Sequence, residues 1–295
     1  MSERPNRPGR PARPGLIGRR GAVVLTVLLA GALAWTLLDA SLADLAPHEG
    51  GLVIARNFFA AAFAPALDYQ SSGLPENMPP FLWQVLVACL RTLIFAAGAM
   101  SLALLAGLPL GFLASGSFWS GDPAAGEASA GRMLGHTIQW ATRLLIALMR
   151  SVHELLWAVI FLAAFGLNTA SAVTAIAIPF AGTLAKVFSE MLDEAPRNSA
   201  FALHAAGVPP LRVFLFGLLP RAAPDMAAYA FYRFECAVRS SAILGFFGYG
   251  TLGYFLRTSF ENLHYREVWT YLYALLLLVI ALETWSAALR RRIVA

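Results

Sequence analysis

Long apolar blocks, each close to the length of a membrane-crossing helix, dominate this sequence. A helix rises ~1.5 Å per residue, so roughly twenty apolar residues cross ~30 Å of hydrocarbon. Hydrophobic residues make up 58% of the chain and charged residues only 13%, and the mean hydropathy is +0.64. Soluble domains are closer to an even balance. The sequence therefore predicts an all-α, polytopic transmembrane bundle of about six spans, at 22–40, 82–113, 155–167, 170–187, 226–247 and 268–288.

The third predicted span is short by itself, but the residues before it are also apolar. We expect one helix that begins within 138–149 and passes Arg150 near a membrane interface. Gly166 and Asn168 separate this helix from the fourth span.

The distribution of arginines predicts the orientation of the spans. The Arg/Pro-rich tail, 1–21, and the C-terminal run 290–292 both carry arginines, so both termini are predicted to be cytoplasmic. Residues 41–80 contain Arg56 as their only basic residue and are predicted to form a periplasmic loop. The block 22–40 is long enough to span and lacks a convincing cleavage site, so it is interpreted as an anchored helix rather than a signal peptide.

The sequence offers little for chemistry on a substrate. Cys89 and Cys236 lie in apolar spans, where a free cysteine behaves as a small hydrophobe, so neither a disulfide nor a metal site is expected. The net charge of +5 comes mostly from the arginines that set topology, and we expect no nucleic-acid partner. No nucleotide-binding glycine loop is present, so no ATP is expected on this chain. The histidines are scattered, at positions His48, His136, His153, His204 and His264.

The segment between the fourth and fifth spans, about 189–224, has the punctuation of two short helices. Pro196 can open a first helix and Gly207 can close it in a left-handed conformation. Pro209 or Pro210 can open a second helix, which is predicted to end at Pro220.

On this second helix, apolar residues recur at three- and four-residue spacing, at Leu211, Phe214, Leu215 and Leu218. Such a stripe is typical of a helix that lies on a surface. It fits an interfacial hairpin that packs beneath the bundle, and it fits equally a docking element for another protein.

A resemblance favours docking. Residues 201–207, followed by Leu219-Pro220, resemble the EAA loop of ATP-binding cassette (ABC) importer permeases, although Phe201 stands where that family usually has Glu. The resemblance implies a MetI-like permease core over 81–292, whose cytoplasmic coupling loop, 190–224, docks on a separate ATP-hydrolysing subunit. It assigns the docking to Ala202, Leu203, Ala206, Gly207, Leu211, Leu219 and Pro220.

Two flanking segments, 150–158 and 232–248, resemble the corresponding segments of phosphonate permeases. The resemblance implies a non-catalytic, multi-pass inner-membrane subunit that imports phosphonate or a related phosphorus oxyanion. ATP and Mg would bind to the partner ATPase. The other implied partners are a periplasmic binding protein, a second permease copy and the lipid membrane. Methionine or nitrate-type solutes remain alternatives, as does a secondary transporter.

Ionisable residues inside the predicted spans are costly and need a partner or water. Glu235 and Arg239 are four residues apart and fit an internal salt bridge; alternatively Arg239, with Arg233, makes a path electropositive for an oxyanion. Near the third span, snorkelling to the interface and substrate contact both remain open. The candidate pathway residues are Arg233, Glu235, Arg239, Arg150, His153 and Glu154.

Overall fold

The computed structural model describes residues 19–39, 41, 46–47, 50–71, 77–119 and 130–294, and these contain helices but no strand. The first helices are α1 (Arg19–Leu37), α2 (Gly51–Ala62), α3 (Phe81–Ala114), α4 (Gly116–Trp119), α5 (Ala130–Ser151), α6 (Glu154–Phe165) and α7 (Thr169–Glu194). After them come α8 (Asn198–Ala205), α9 (Pro210–Val213), a π-turn (Phe214–Leu218), α10 (Leu219–Ile243), a 3₁₀ turn (Leu244–Phe247), α11 (Leu252–Glu261) and α12 (Tyr265–Val294).

The chain divides into two compact units, 1–57 and 58–295. The first contains α1, which lies where the first span was predicted. The Arg/Pro-rich tail up to position 18 lies outside the described residues. The segment 41–80 was expected to be a loop, but an apolar helix, α2, forms within it.

Small residues allow α3 and α7 to pack closely at the centre of the second unit. A Cβ added to Gly107 would lie 3.1 Å from the Ala181 carbonyl oxygen, and one added to Gly111 would lie 3.1 Å from Phe188 Cβ. Buried alanines, including Ala96, Ala99 and Ala103, extend the same face of α3. Lipid gives no hydrophobic drive for association, so small residues that bring backbones together are the usual basis of membrane helix packing.

Among the described residues, three helices, α3, α7 and α12, are long and apolar enough to cross a membrane, and the α5–α6 pair is a fourth candidate of this kind. The prediction of six spans is therefore not confirmed. The fifth predicted span corresponds to α10, whose interior carries Arg233, Glu235 and Arg239. The described α7 runs to Glu194, beyond the predicted end at 187.

The expectation of one helix through the third predicted span was wrong. The chain breaks after Ser151, and α5 and α6 are bent by 87°. His153 has an extended backbone, and its Nδ1 accepts a hydrogen bond from the Leu155 N–H at 3.3 Å, which caps α6. A cap of this kind satisfies an amide at a new helix start, so it favours a break over a continuous helix.

One end of the second unit is fastened by the buried carboxylate of Glu267 at the start of α12. Glu267 accepts hydrogen bonds from the Gln70 N–H at 2.6 Å and from Ser259 Oγ at 2.8 Å. Tyr69 donates to the Gln84 side chain, and burial together with the nearby Glu267 raises the pKa of the Tyr69 phenol. These bonds attach the segment after α2 to α11 and α12.

Two glycines close the turn from α10 into α11. A Cβ on Gly253 would lie 2.1 Å from the Ala242 carbonyl oxygen, and a Cβ on Gly245 would lie 2.0 Å from the Tyr254 nitrogen. The buried Thr92 hydroxyl on α3 accepts a hydrogen bond from the Leu252 N–H at 3.0 Å. The start of α11 is thereby fixed to α3.

Candidate functional site

The predicted helix–bend–helix is present between α7 and α10. The first arm is α8, Gly207 follows with φ +77°, and the second arm begins at Pro210. Gly207 adopts the left-handed region without steric cost, and no atom lies within 4 Å of where its Cβ would be. These features were correctly predicted. We call residues 198–218 the coupling hairpin.

The second arm was expected to end at Pro220, but it does not. It passes through the π-turn directly into α10, and Pro220 lies in the first turn of that helix. Proline has no N–H to donate, and its ring crowds the carbonyl four residues earlier. The wider π-turn relieves both constraints, because it shifts the hydrogen-bond register just before Pro220.

The coupling hairpin is packed on itself and on the bundle. A Cβ on Gly217 would lie 3.2 Å from Ala200 Cα, so the two arms touch at this glycine. Phe214 is only 3% exposed. Its ring meets the Phe112 ring edge-on, with centroids 5.6 Å apart, and the Phe118 ring at 5.2 Å.

The residues assigned to docking do not share one environment. Ala202, Ala206, Gly207, Leu211 and Pro220 are exposed. Leu203 and Leu219 are instead half-buried against the hydrophobic core, so they support the hairpin from inside.

Large exposed apolar side chains on the hairpin were not assigned to docking. Phe201 is 66% exposed and Phe216 is 73% exposed, and Leu215 is also exposed. Phe201 had been noted only as a departure from the family pattern. On the second arm, the three- and four-residue spacing does not distinguish the exposed Leu215 and Phe216 from the buried Phe214 and Leu218. The reason is that the π-turn changes which residues share a face of the helix.

A carboxylate just before the hairpin was missed by the sequence analysis. Asp193, in the last turn of α7, accepts hydrogen bonds on Oδ1 from Ser115 Oγ at 2.7 Å and from the Ser117 N–H at 2.8 Å. Its Oδ2 accepts from the Gly116 N–H at 3.1 Å. The carboxylate therefore caps α4, where the helix dipole favours negative charge. Sequence alone gives no signal for a cap that is 76–78 residues away along the chain.

Glu235 pairs with a different arginine from the one expected. The predicted Glu235–Arg239 salt bridge is wrong, because Glu235 faces α12, where its Oε1 lies 3.7 Å from Arg290 Nη1. Arg239 is exposed, and its Nη2 lies 3.8 Å from Cys236 Sγ. Arg233 points towards α7, with its guanidinium carbon 4.4 Å from the centroid of the Phe180 ring.

At the α5–α6 break, Glu154 joins α6 to α10. Its Oε1 accepts a hydrogen bond from Ser240 Oγ at 3.1 Å, and its Oε2 lies 3.5 Å from His153 Nε2. Arg150, at the end of α5, is exposed. The structure therefore brings Glu154 beside the residue that follows Arg239, whereas Arg233 and Glu235 point to other helices. Within the described parts of the chain, no group of histidines, cysteines and carboxylates is arranged to hold a metal.

The fold and the hairpin define a helical bundle with membrane-length helices and a helix–bend–helix between α7 and α10. Residues 124–295 match the model of the binding-protein-dependent transport system inner membrane component family. The match covers more than half of the sequence, and the chain belongs to this family.

Curated relatives with sequence similarity are transport permeases. The phosphite transport system permease protein PtxC of Stutzerimonas stutzeri is 34% identical over 149 residues, which is 50% of this chain and 54% of that protein. The phosphate-import permease protein PhnE of Mycolicibacterium smegmatis is 27% identical over 238 residues, 80% of this chain and 42% of that protein. The chain thus spans about half the length of the curated relatives it matches.

Solved structures show the same fold. The MetNI methionine ABC transporter in an inward-facing conformation gives a TM-score of 0.59 at 21% identity, over 75% of this chain and 99% of that one. An amino acid ABC transporter crystallised with histidines gives 0.59 at 15% identity, over 72% and 95% of the two chains. The predicted MetI-like fold is confirmed.

Proposed function

We propose that this chain is the membrane-spanning permease subunit of an ATP-driven importer for phosphonate or a related phosphorus oxyanion. The observation that carries the proposal is the coupling hairpin, which exposes Phe201, Leu211 and Phe216 while Phe214 is anchored in the bundle. Large exposed apolar side chains beside a rigid anchor fit a surface that a partner protein covers.

The charges at the hairpin end of the bundle support a cytoplasmic location for it. Glu194 at the end of α7, Arg221 at the start of α10 and Arg290 near the end of α12 line one pocket, so these helix ends lie together. Arg197 and Arg212 lie on or beside the hairpin. Basic residues concentrate on the cytoplasmic side of membrane proteins. Both chain termini would then be cytoplasmic, as the arginine distribution predicts.

In the proposed mechanism the chain itself hydrolyses nothing. A separate ATPase subunit binds ATP and Mg and grips the hairpin, and its closure moves the hairpin as a rigid body. A second permease copy and a periplasmic binding protein complete the assembly. The two copies would enclose one path that opens alternately to the two sides.

A stripe along α10 supports an anionic cargo. Tyr232, Arg239 and Ile243 are exposed on this helix at spacings of seven and four residues, and Phe246 is exposed on the 3₁₀ turn that follows it. An arginine facing lipid costs ~2.5–3.5 kcal/mol on insertion scales, so this face fits a water-filled path or the second copy better than lipid. A guanidinium stays charged and meets phosphorus oxyanions with two parallel hydrogen bonds. Arg150 and Arg233 remain candidates for the same path.

Co-purification and uptake test the proposal together. The full chain, expressed with a partner ATPase and a periplasmic binding protein, should co-purify with the ATPase and support vanadate-sensitive uptake of phosphonate or phosphite into vesicles. Uptake that needs no nucleotide would contradict the proposal and favour a secondary transporter. ATP-dependent uptake of methionine or nitrate, with none of phosphorus oxyanions, would refute the substrate alone.

The role of Arg239 has its own test in the same vesicles. Arg239→Ala should lower uptake about tenfold, whereas Arg239→Lys should retain more of it, because the charge stays in place. Arg291→Ala is the matched control, since Arg291 is an exposed arginine near the end of α12, away from α10's exposed stripe in sequence. Equal uptake by Arg239→Ala and the wild type would remove Arg239 from the path.

A further inference from the structure

We propose that Asp193 is a positioning residue that links the coupling hairpin to α3 and α5, a role that rests on the transport function proposed above. Asp193 is the next-to-last residue of α7, a few residues ahead of the hairpin. Its carboxylate holds α4, and α4 holds Phe214 of the hairpin. We call α4, Asp193 and Phe214 the coupling joint.

The short helix α4 depends on Asp193 for its cap. A four-residue helix is far too short to be stable alone, because helix nucleation is unfavourable. Asp193 supplies an acceptor for the Gly116 and Ser117 amides and for the Ser115 hydroxyl. Bonds to a charged acceptor are about twice as strong as neutral ones. Without this carboxylate, α4 loses the group that caps it.

Contacts from α4 in turn hold the hairpin in place. Phe118 of α4 packs edge-on against the buried Phe214 ring, with centroids 5.2 Å apart. Arg197, the residue before α8, donates a hydrogen bond from Nη2 to Ser117 Oγ at 3.0 Å. α4 therefore contacts the second arm of the hairpin through Phe214 and the residue that precedes the first arm, Arg197.

The helix α4 directly follows α3 in the chain, and both are attached to α5. The Ala114 carbonyl at the end of α3 accepts hydrogen bonds from Gln139 Nε2 at 3.2 Å and from Arg143 Nε at 3.0 Å. Trp119 of α4 donates from Nε1 to the Leu113 carbonyl, and its ring lies against Gly135 of α5.

The contacts around α4 connect elements that are distant in sequence. A displacement of Phe214 acts on α4, and α4 acts on the end of α3 and on α5 without passing along the chain. Packed elements of this kind transmit movement as rigid units rather than by continuous deformation. A load applied at the hairpin would therefore reach the helices that carry the α5–α6 break and the long packed face of α3.

Hydrogen exchange on the purified full chain tests the joint without reference to transport. Asp193→Asn places an amide group where the carboxylate accepts hydrogen bonds, so amides in 115–119 and 210–218 should exchange about tenfold faster. Glu190→Gln is the matched control, because Glu190 is an exposed carboxylate one turn earlier on α7, paired with Lys186. Unchanged exchange in 210–218 of Asp193→Asn would overturn the proposal.

Measurements of ATP-dependent uptake then test whether the coupling joint links ATP hydrolysis to transport. With the ATPase still co-purifying, Asp193→Asn should lower ATP-dependent uptake about tenfold, and ATP hydrolysis should no longer respond to the loaded binding protein. Phe118→Leu, which keeps the cap but weakens the ring contact, should act in the same direction if Asp193→Asn does not fold. Normal uptake by either folded variant overturns the proposal. Failure of the wild type to bind the ATPase would instead refute the transport function, whatever the exchange shows.

Discussion

Glu235 on α10 lies against Arg290 on α12, with 3.7 Å between Glu235 Oε1 and Arg290 Nη1. This separation is too long for a hydrogen bond, and the buried Glu235 Oε1 has no hydrogen-bond partner among the residues that the structure describes. The carboxylate therefore depends on the charge of one arginine that is 55 residues away in sequence. A buried charge held by a single partner is sensitive to loss of that partner.

The first prediction follows from this pair. Arg290→Ala should destabilise the chain by about 1–3 kcal/mol, because it leaves the Glu235 carboxylate buried and uncompensated. Glu235→Gln should cost less, and the double variant should recover much of the loss. Thermal melting of the detergent-solubilised chain measures this order. Arg291→Ala is the control, since that side chain is exposed. An Arg290→Ala melting temperature equal to that of Arg291→Ala would show that the pair is not stabilising.

The second prediction concerns the bend of the coupling hairpin. Gly207→Val should cost about 1–2 kcal/mol and abolish most uptake, because a β-branched residue is strained at φ +77°. Asn tolerates left-handed backbone, so Gly207→Asn should retain more of both. Apart from the adjoining residues, no atom of the described chain lies within 4 Å of the added Cβ, so the two variants differ in backbone preference rather than in steric overlap. Similar losses in stability and uptake for the two variants would argue against this explanation.

The third prediction concerns the bond that fixes α11 to α3. Thr92→Val should cost about 1–3 kcal/mol, because the buried Leu252 N–H loses its acceptor. Thr92→Ser keeps the hydroxyl and should retain most of the stability. Chemical denaturation of the purified chain compares the two variants. A Val variant as stable as the Ser variant would mean that another group accepts from Leu252.

The fourth prediction separates two glycines that sequence cannot distinguish. Gly253→Ala should destabilise the chain by about 3 kcal/mol, because its Cβ would lie 2.1 Å from the Ala242 carbonyl oxygen. Gly98→Ala should be neutral or stabilising by about 0.5–1 kcal/mol, because its Cβ meets Val173 at an ordinary 3.5 Å inside a helix. Yield and melting temperature of the two variants give the comparison. Equal behaviour would contradict the close approach at Gly253.

The backbone preferences of glycine and proline predicted the bend of the hairpin but not where its second arm ends. Gly207 and Pro210 act through their own backbone geometry, so their roles can be inferred from neighbouring residues. Pro220 was predicted to end a helix by the same rule. It does not, because a π-turn before it adjusts the register, and Phe214 and Gly217 of that turn pack against residues distant in sequence.

The partners of the charged residues could not be predicted from sequence spacing either. A spacing of four residues made Arg239 the expected partner of Glu235, but spacing only says which side chains share a face. The choice of Arg290 required the position of α12. The Asp193 cap, which joins the end of α7 to the end of α3, likewise has no local signature.

By itself the sequence determined the membrane class, the helical fold and the bend at Gly207, because apolar length and backbone preference are properties of short stretches of chain, and the resemblance of its motifs indicated the family. Only the tertiary structure decided the 87° break between α5 and α6, the partner of Glu235 and the joint around Asp193. Those features join residues that are distant in sequence, and their energies arise from contacts that exist only when the helices are packed.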